Sequence, residues 1–527
     1  MLLTNDTVST PAASRGTSPG AASAGATAPA KGTAPAKGTA PAGGASSAPA
    51  DDSARNRLVI GLLIVSAFVV ILNETIMSVA LPTLIIDLKV TAATAQWLTT
   101  GFLLTMAVVI PVTGFLLQRF HTRQVFLLAM SLFSVGTLIA AIAPGFSVLL
   151  IARVVQASGT AIMLPLLMTT AMTLVAPAAR GRTMGNISIV ISVAPAIGPT
   201  ISGIILSALS WRFMFIIVLP IAVVALILGA VKMKNVTVPR KVPLDVLSVI
   251  LSAFAFAGLL YGLAGVGEAA SGSPQPVPPL VPVVVGVVAL ALFILRQTRL
   301  ARVSSPLLDL RTFLTRNFSI SIAMIAVSSI ALFGTLIILP IYMQSVLGLT
   351  TLTTGLLLLP GGLIMGVLSP FVGRFYDRFG PSTLLIVGSI LVSGALWTMA
   401  MFLHAGTPAF MIPVTHVILS IGLAMTFTPL FSSSLGSLKP ELYSHGSAIL
   451  NTVQQVMAGV GTALFVTLLS TGAASKIAAG ASDVDATAAG VQMAFLAGAL
   501  VSLLAIVASF FVRKPPVIEG APTPMAH

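Results

Sequence analysis

Fourteen apolar stretches of roughly 20 residues run through this chain, at about 58-81, 97-117, 125-143, 148-170, 184-208, 213-231, 244-266, 280-295, 317-339, 352-371, 383-403, 409-432, 447-470 and 489-512. A helix of about 20 apolar residues matches the hydrocarbon thickness of a bilayer. Within lipid every backbone N–H and C=O has to be satisfied inside the protein, which leaves helices or closed barrels as the spanning structures. Stretches this long predict an all-α membrane protein of fourteen transmembrane helices. The eighth, 280-295, is short, and depends on Pro278, Pro279 and Pro282 entering the membrane at its start. Gly and Pro inside these stretches do not argue against helix, because neighbouring helices satisfy the freed backbone groups.

Charge gives an independent check on the count. Hydrophobic residues make up 56% of the 527 positions and charged residues 8%, with a mean hydropathy of +1.06. The formal charge of +14 sits in short loops rather than on one basic face, which excludes nucleic-acid binding and points to topology. With the N-terminus cytoplasmic, 23 of the 27 basic residues fall in inside segments. Outside lie Lys89, Arg212 and Lys476, and Arg153 is left within the fourth span. A missed helix early in the chain would invert the later loops and destroy this bias. Both termini are therefore expected inside.

Residues 1-57 are rich in Ala, Pro, Gly, Ser and Thr, with a hexamer Thr27-Ala-Pro-Ala-Lys-Gly restarting at Thr33 and Thr39. That composition cannot bury a core and predicts a disordered cytoplasmic tail; residues 513-527 are expected as a second cytoplasmic tail. The first span is then an uncleaved signal anchor. The chain also repeats itself: Pro111-x-x-Gly114-x-x-x-Gln118-Arg119-Phe120 reappears as Pro370-x-x-Gly373-x-x-x-Asp377-Arg378-Phe379. The same register carries Leu58 onto Asn317, where the ninth span begins. Two six-helix bundles are expected at 58-231 and 317-512, with a linker of two inserted helices at 232-316. Parallel repeats of this kind face one another across a central path and can rock between two openings.

Glu74 is the one carboxylate well inside an apolar stretch. Counting from Leu58 it lies about 24 Å into the first span, too deep to reach the near headgroups. A carboxylate kept at that depth faces a polar path, pairs with a cation or carries a proton. Arg153 lies at a similar depth in the fourth span and needs an anion, carbonyls or water. The two are expected either to pair or to face separate water-filled cavities.

Asn73-Glu74-Thr75-Ile76-Met77-Ser78-Val79-Ala80-Leu81-Pro82 resembles the end of the first helix, Leu-Asp-x-Thr-Ile-Val-x-Val-Ala-Leu-Pro, of the major facilitator superfamily in its fourteen-helix drug:proton antiporter branch of the EmrB/QacA type. The Asn-Glu-Thr-Ile form is nearest to the lincomycin-resistance-like members. Here the family acid position is Asn73, and the acid stands one place on, about 100° around the helix. Gly114 to Arg123 is similar to the loop signature Gly-x-Leu-Ala-Asp-Arg-x-Gly-Arg-Lys, with Arg119 and Arg123 kept, Gln118 in place of the Asp and His121 in place of the Gly. The resemblance implies a charged latch on the inward gate; since the second copy keeps Gly373, Asp377 and Arg378, the stronger latch is expected there. Arg153, Gln156 and Gly159 match the fourth-helix signature. Pro195, Gly198, Pro199 and Gly203 resemble the fifth-helix signature that distinguishes the family's antiporters, and predict a bent, closely packed helix. Asn451, Gln454 and Gln455, on one face of the thirteenth helix, resemble the family's Asn-x-x-[Arg/Gln]-Gln run. Their amides either contact substrate or bond neighbouring helices. His416 reads as a packed histidine rather than a proton carrier.

The resemblance implies a proton-coupled multidrug efflux transporter of the cell membrane, a monomer among membrane lipid, exporting small lipophilic neutral or monocationic substrates. Glu74 and Arg153 would couple protons, and Asn73, Gln156, Asn451, Gln454 and Gln455 would line the substrate cavity. A proton-linked uptake carrier or lipid or metabolite translocator on the same scaffold is the alternative. No metal-ligand cluster, phosphate loop or nucleophile-base set appears, so no enzyme, metal or cofactor is expected.

Overall fold

The structure is a computed structural model and describes residues 48–236, 239–240, 242–270, 277–303 and 306–514. Among these, fourteen helices are long and apolar enough to cross a membrane. They are α1 (Ala48–Asp87), α2 (Ala92–Arg119), α3 (Thr122–Ala141), α4 (Phe146–Leu174), α5 (Arg180–Ala208), α6 (Arg212–Lys232), α7 (Val246–Ala270), α8 (Leu280–Val303), α9 (Arg316–Ser345), α10 (Thr351–Phe379), α11 (Ser382–Phe402), α12 (Met411–Gly436), α13 (Tyr443–Ala478) and α14 (Asp483–Ser509). Short 3-10 turns lead into α5, α9 and α13.

Two ends differ from the sequence expectation. Residues 48–57, assigned to the tail, already form the start of α1; the rest of that tail, and residues 515–527, lie outside the described residues. The eighth span is not short: α8 runs 24 residues from Leu280 to Val303. Pro282 falls in its first turn, where the missing N–H has no intrahelical acceptor to lose, and the helix carries Arg296 and Gln297 beyond the apolar stretch.

The packing follows a two-bundle plan. In the first bundle α3 lies along α4 and α6, and α2 along α4; in the second, α13 lies along α9 and α14, α12 along α10 and α11, and α11 along α14. Between the bundles α5 runs against α10 and α12, while α13 meets α2 and α4. The inserted α7 and α8 form a hairpin whose α7 covers both α2 and α13, burying Phe256 and Leu260 against Ala107 and Val456. Faces left outward are apolar: α6 exposes Ile217, Ile221, Val224, Ile227 and Val231. Such rows need hydrocarbon rather than water as their surroundings.

Close helix approach depends on small residues. A backbone-to-backbone contact joins α5 to α10, where a Cβ on Gly373 would stand 2.1 Å from the Gly181 carbonyl oxygen. The contact continues through Gly185, set against the Ser369 backbone, and Gly362, set against Ala196. It starts at the end of the molecule that bears the α2–α3 and α10–α11 connections, called here the basic end.

Candidate functional site

The deep polar cluster is built by four helices. Arg153 of α4 is 1% exposed. Its Nη1 donates to Gln156 Oε1 at 2.8 Å and to Asn73 Oδ1 at 3.3 Å, and its Nε donates to the Leu98 carbonyl of α2 at 3.4 Å. The guanidinium carbon stands 4.0 Å from the centre of the Phe102 ring, an arrangement worth about 2 kcal/mol where water is excluded. Gln156 in turn donates to Thr137 Oγ1 of α3 at 2.8 Å.

Glu74 takes no part in that hydrogen-bonding. It is half-buried, one residue around α1 from Asn73, and interacts with Arg153 through space with no ion pair between them. The amide of Asn73, standing where the family carries its acid, is what touches the guanidinium, and the carboxylate has no hydrogen-bond or ion-pair partner among the described residues. Asn73 and Gln156, expected to line the substrate cavity, are 2% and 0% exposed and are occupied with Arg153.

Span five meets this cluster directly. A Cβ on Gly198 would stand 2.2 Å from Thr75 Oγ1, so α5 packs on α1 next to Glu74. Thr75 also donates to the Ala194 carbonyl at 3.5 Å, one residue before the half-buried Pro195. Gly203 differs from its expected role, since among the described residues no atom lies within 4 Å of its Cβ position; it faces outward, while Ser202 and Ile205 beside it pack on α6. α5 is continuous through Pro199, whose side chain lies outside the described residues.

The hydrogen bonds between bundles gather at the basic end. The Asp377 carboxylate accepts from the backbone N–H groups of Gly181, 2.7 Å, and Arg182, 2.8 Å. These belong to the first turn of α5, whose free N–H groups and dipole favour an anion. On the other side the Gln118 amide nitrogen donates to the Gly114 carbonyl at 2.9 Å and approaches His445 Nε2 of α13, also at 2.9 Å. Thr169 of α4 shares a hydrogen bond with Ser447 of α13 at 2.6 Å, and Thr428 of α12 donates to Ser188 of α5 at 3.1 Å. Arg119, Arg123 and Arg378 are exposed; Arg123 donates to the Ala230 carbonyl at the end of α6, and Arg378 lies over Phe379.

The three amides of α13 divide. Asn451 is 5% exposed, donates to the Ser447 carbonyl at 2.8 Å and meets Met168 Sδ of α4. Gln454 and Gln455 are half-buried and make no hydrogen bond among the described residues, which leaves their amides free for a ligand. His416 is packed, its Nδ1 unbonded and set against Gly361 of α10.

Sequence reasoning missed the chemistry around the inserted hairpin. Asp245, before α7, accepts from Arg296 Nε at 2.6 Å and Nη2 at 2.7 Å and from the Ser248 hydroxyl. The guanidinium, ahead of the opposing effect of burial, holds the Asp245 carboxyl down at about 2. Asp309, before α9, is 2% exposed; burial works to raise its pKa, but the Arg311 guanidinium and backbone N–H outweigh it and hold the carboxyl below the usual range. The signal in the sequence was slight: a Gln in an apolar helix, Gln297, and a carboxylate directly after Leu307 and Leu308.

Known proteins agree with this architecture. The sequence profile of the Major Facilitator Superfamily matches residues 63–462. The chain is 43% identical over 460 residues to the uncharacterized MFS-type transporter YcnB of Bacillus subtilis, covering 87% of this chain and 95% of that protein. It is 41% identical over 461 residues to the lincomycin resistance protein LmrB of Listeria monocytogenes, covering 86% and 96%. Among solved structures the human organic anion transporter MFSD10 superposes with a TM-score of 0.61 at 14% identity, over 86% of this chain and 99% of that one, a likeness of fold. With fourteen spans, paired bundles and relatives matched almost end to end, the chain belongs to the major facilitator superfamily and is a multi-pass membrane transporter with lincomycin-resistance proteins among its relatives.

Proposed function

We propose that this transporter exports small lipophilic compounds, neutral or monocationic, in exchange for protons. The carrying observation is that Glu74 stands beside the Arg153 network without an ion pair. A carboxylate fixed in a salt bridge is held ionised, whereas one beside a cation that already has other partners can gain and lose a proton as its surroundings change. In the proposed cycle Glu74 takes a proton when the path is open outward and yields it when the path is open inward. Substrate and proton compete for that state, with Gln454 and Gln455 offering amides to the substrate.

The basic end is assigned to the cytoplasm, with both termini inside, on the distribution of Lys and Arg. The Asp377 and Gln118 contacts then close the cytoplasmic side. The bundles at 58-231 and 317-512 move as units, with the inserted pair beside the path, and the monomer in membrane lipid is the working form. Export is favoured over uptake by the resistance function named for LmrB. The test is transport in everted membrane vesicles across an imposed pH gradient. The wild-type protein accumulates substrate when the vesicle interior is acid, and Glu74→Gln, inserted at normal levels, does not. Full gradient-driven transport by Glu74→Gln removes this residue from the mechanism, and accumulation under the opposite gradient makes the protein an uptake carrier.

A further inference from the structure

The motif at residue 118 lacks the carboxylate that its repeat carries at residue 377, and the structure puts other groups in that place. Residues 306–315, which join the inserted hairpin to α9, pass directly under the contact between α2 and α13. Leu307, Leu308 and Asp309 are 3%, 3% and 2% exposed. The Leu307 carbonyl oxygen lies 3.5 Å from the Cβ position of Gly114, and the Asp309 backbone N–H donates to His445 Nδ1 at 3.3 Å. His445 thus has the strap at one ring nitrogen and Gln118 at the other. The Arg311 pair and the Asp309 side-chain cap on the Arg311 N–H fix the shape of the turn.

The strap is itself tied back to the hairpin. Gln297 Oε1 of α8 accepts from the Leu308 N–H at 3.2 Å, its Nε2 donates to Ser248 Oγ of α7 at 2.6 Å, and Ser248 donates to Asp245, which holds Arg296. Gln297 and Ser248 are both fully buried. A continuous polar chain therefore runs from the inserted hairpin through the strap to the junction of the two bundles.

We propose that the segment 306–315 is a strap by which the inserted helices hold the α2–α13 gate shut, standing in for the missing carboxylate at position 118. Gln297 and His445 are its positioning residues. The gate opens only when the strap leaves His445, so loosening the strap shifts the population toward the form open at the basic end. This rests on the rocking of the two bundles and not on proton exchange.

The chain has no cysteine, so paired cysteines report on single contacts. Thr169→Cys with Ser447→Cys reads the gate through the adjoining α4–α13 contact, which parts with it when the bundles separate, and Ser393→Cys with Ser502→Cys, whose hydroxyls are 2.9 Å apart between α11 and α14, reads the interior of one bundle. Oxidative crosslinking is followed in native membranes without substrate or gradient, so its result is independent of the Glu74 reading. Gln297→Leu, and separately His445→Leu, are expected to slow the gate crosslink about fivefold, the size that one lost buried hydrogen bond supports, and to leave the 393–502 crosslink unchanged. An unchanged gate crosslink in both variants overturns the proposal. Equal slowing of both pairs overturns it too, because the strap would then be supporting the fold rather than the gate.

Discussion

A one-residue displacement distinguishes the chemistry of α1. Asn73 occupies the hydrogen-bonding position toward Arg153, and Glu74 is turned about 100° away from it. Arg153→Lys tests how much of the site depends on the fork rather than the charge. Lysine keeps the cation but cannot reach Asn73, Gln156 and Leu98 together, nor lie flat on Phe102. The variant is expected to lose about 2 kcal/mol of stability in detergent and most of its transport, read from unfolding midpoints and vesicle uptake. Retention of both would show that charge alone suffices. The depth of Glu74 and Arg153 was legible as charged residues in apolar stretches. Which residue touches the guanidinium was not, because rotation about a helix axis decides it and the axis orientation comes from packing on α2, α3 and α5.

At the scale of helices, hydropathy alone located all fourteen, and errors fell at ends, where Pro282 and the polar start of α1 weaken the signal. The repeat also pointed to Asp377 as a latch residue. The His445 contact could not be read, since its partners are 327 and 136 positions away and none forms a motif with it. Two predictions belong here. Gly373→Ala places a methyl where the Gly181 carbonyl oxygen lies. Overpacking of this kind costs about 1–3 kcal/mol, and here it falls on the closed form, so a Ser188→Cys/Thr428→Cys crosslink between α5 and α12 should slow severalfold while membrane insertion stays normal. The second concerns Asp245. Its folded value, about 2, lies below that of the unfolded chain, so its contribution to stability is complete above about pH 4 and is lost as pH falls toward 2. Arg296→Met should therefore lower the unfolding midpoint by the same amount at pH 5 and pH 8. A penalty that differs between those two values would mean that the pair titrates where the structure says it does not.

Across the whole molecule, one deep carboxylate bounds the energetics of exchange. A single titrating site moves about one proton per cycle. Efflux of a monocation should then follow the pH difference and ignore membrane potential, while a neutral substrate should respond to both; a measured ratio of two protons per substrate would end the one-acid scheme. Removing residues 2–47 should leave transport intact, since that segment has neither apolar content nor motif, and loss of activity at normal expression would contradict this. The Asp377 contact has a further consequence, for tolerance to inherited change. Its carboxylate is met by main-chain N–H groups, so the two walls of one contact are unequal under mutation. On the α10 wall the contact depends on the carboxylate itself. On the α5 wall position 182 can drift through almost any residue, with proline excluded because it has no N–H to give. Variation accumulated in such a protein would pass silently at position 182 and be purged at Asp377 and at Gly181, where a Cβ would stand 2.5 Å from the carboxylate.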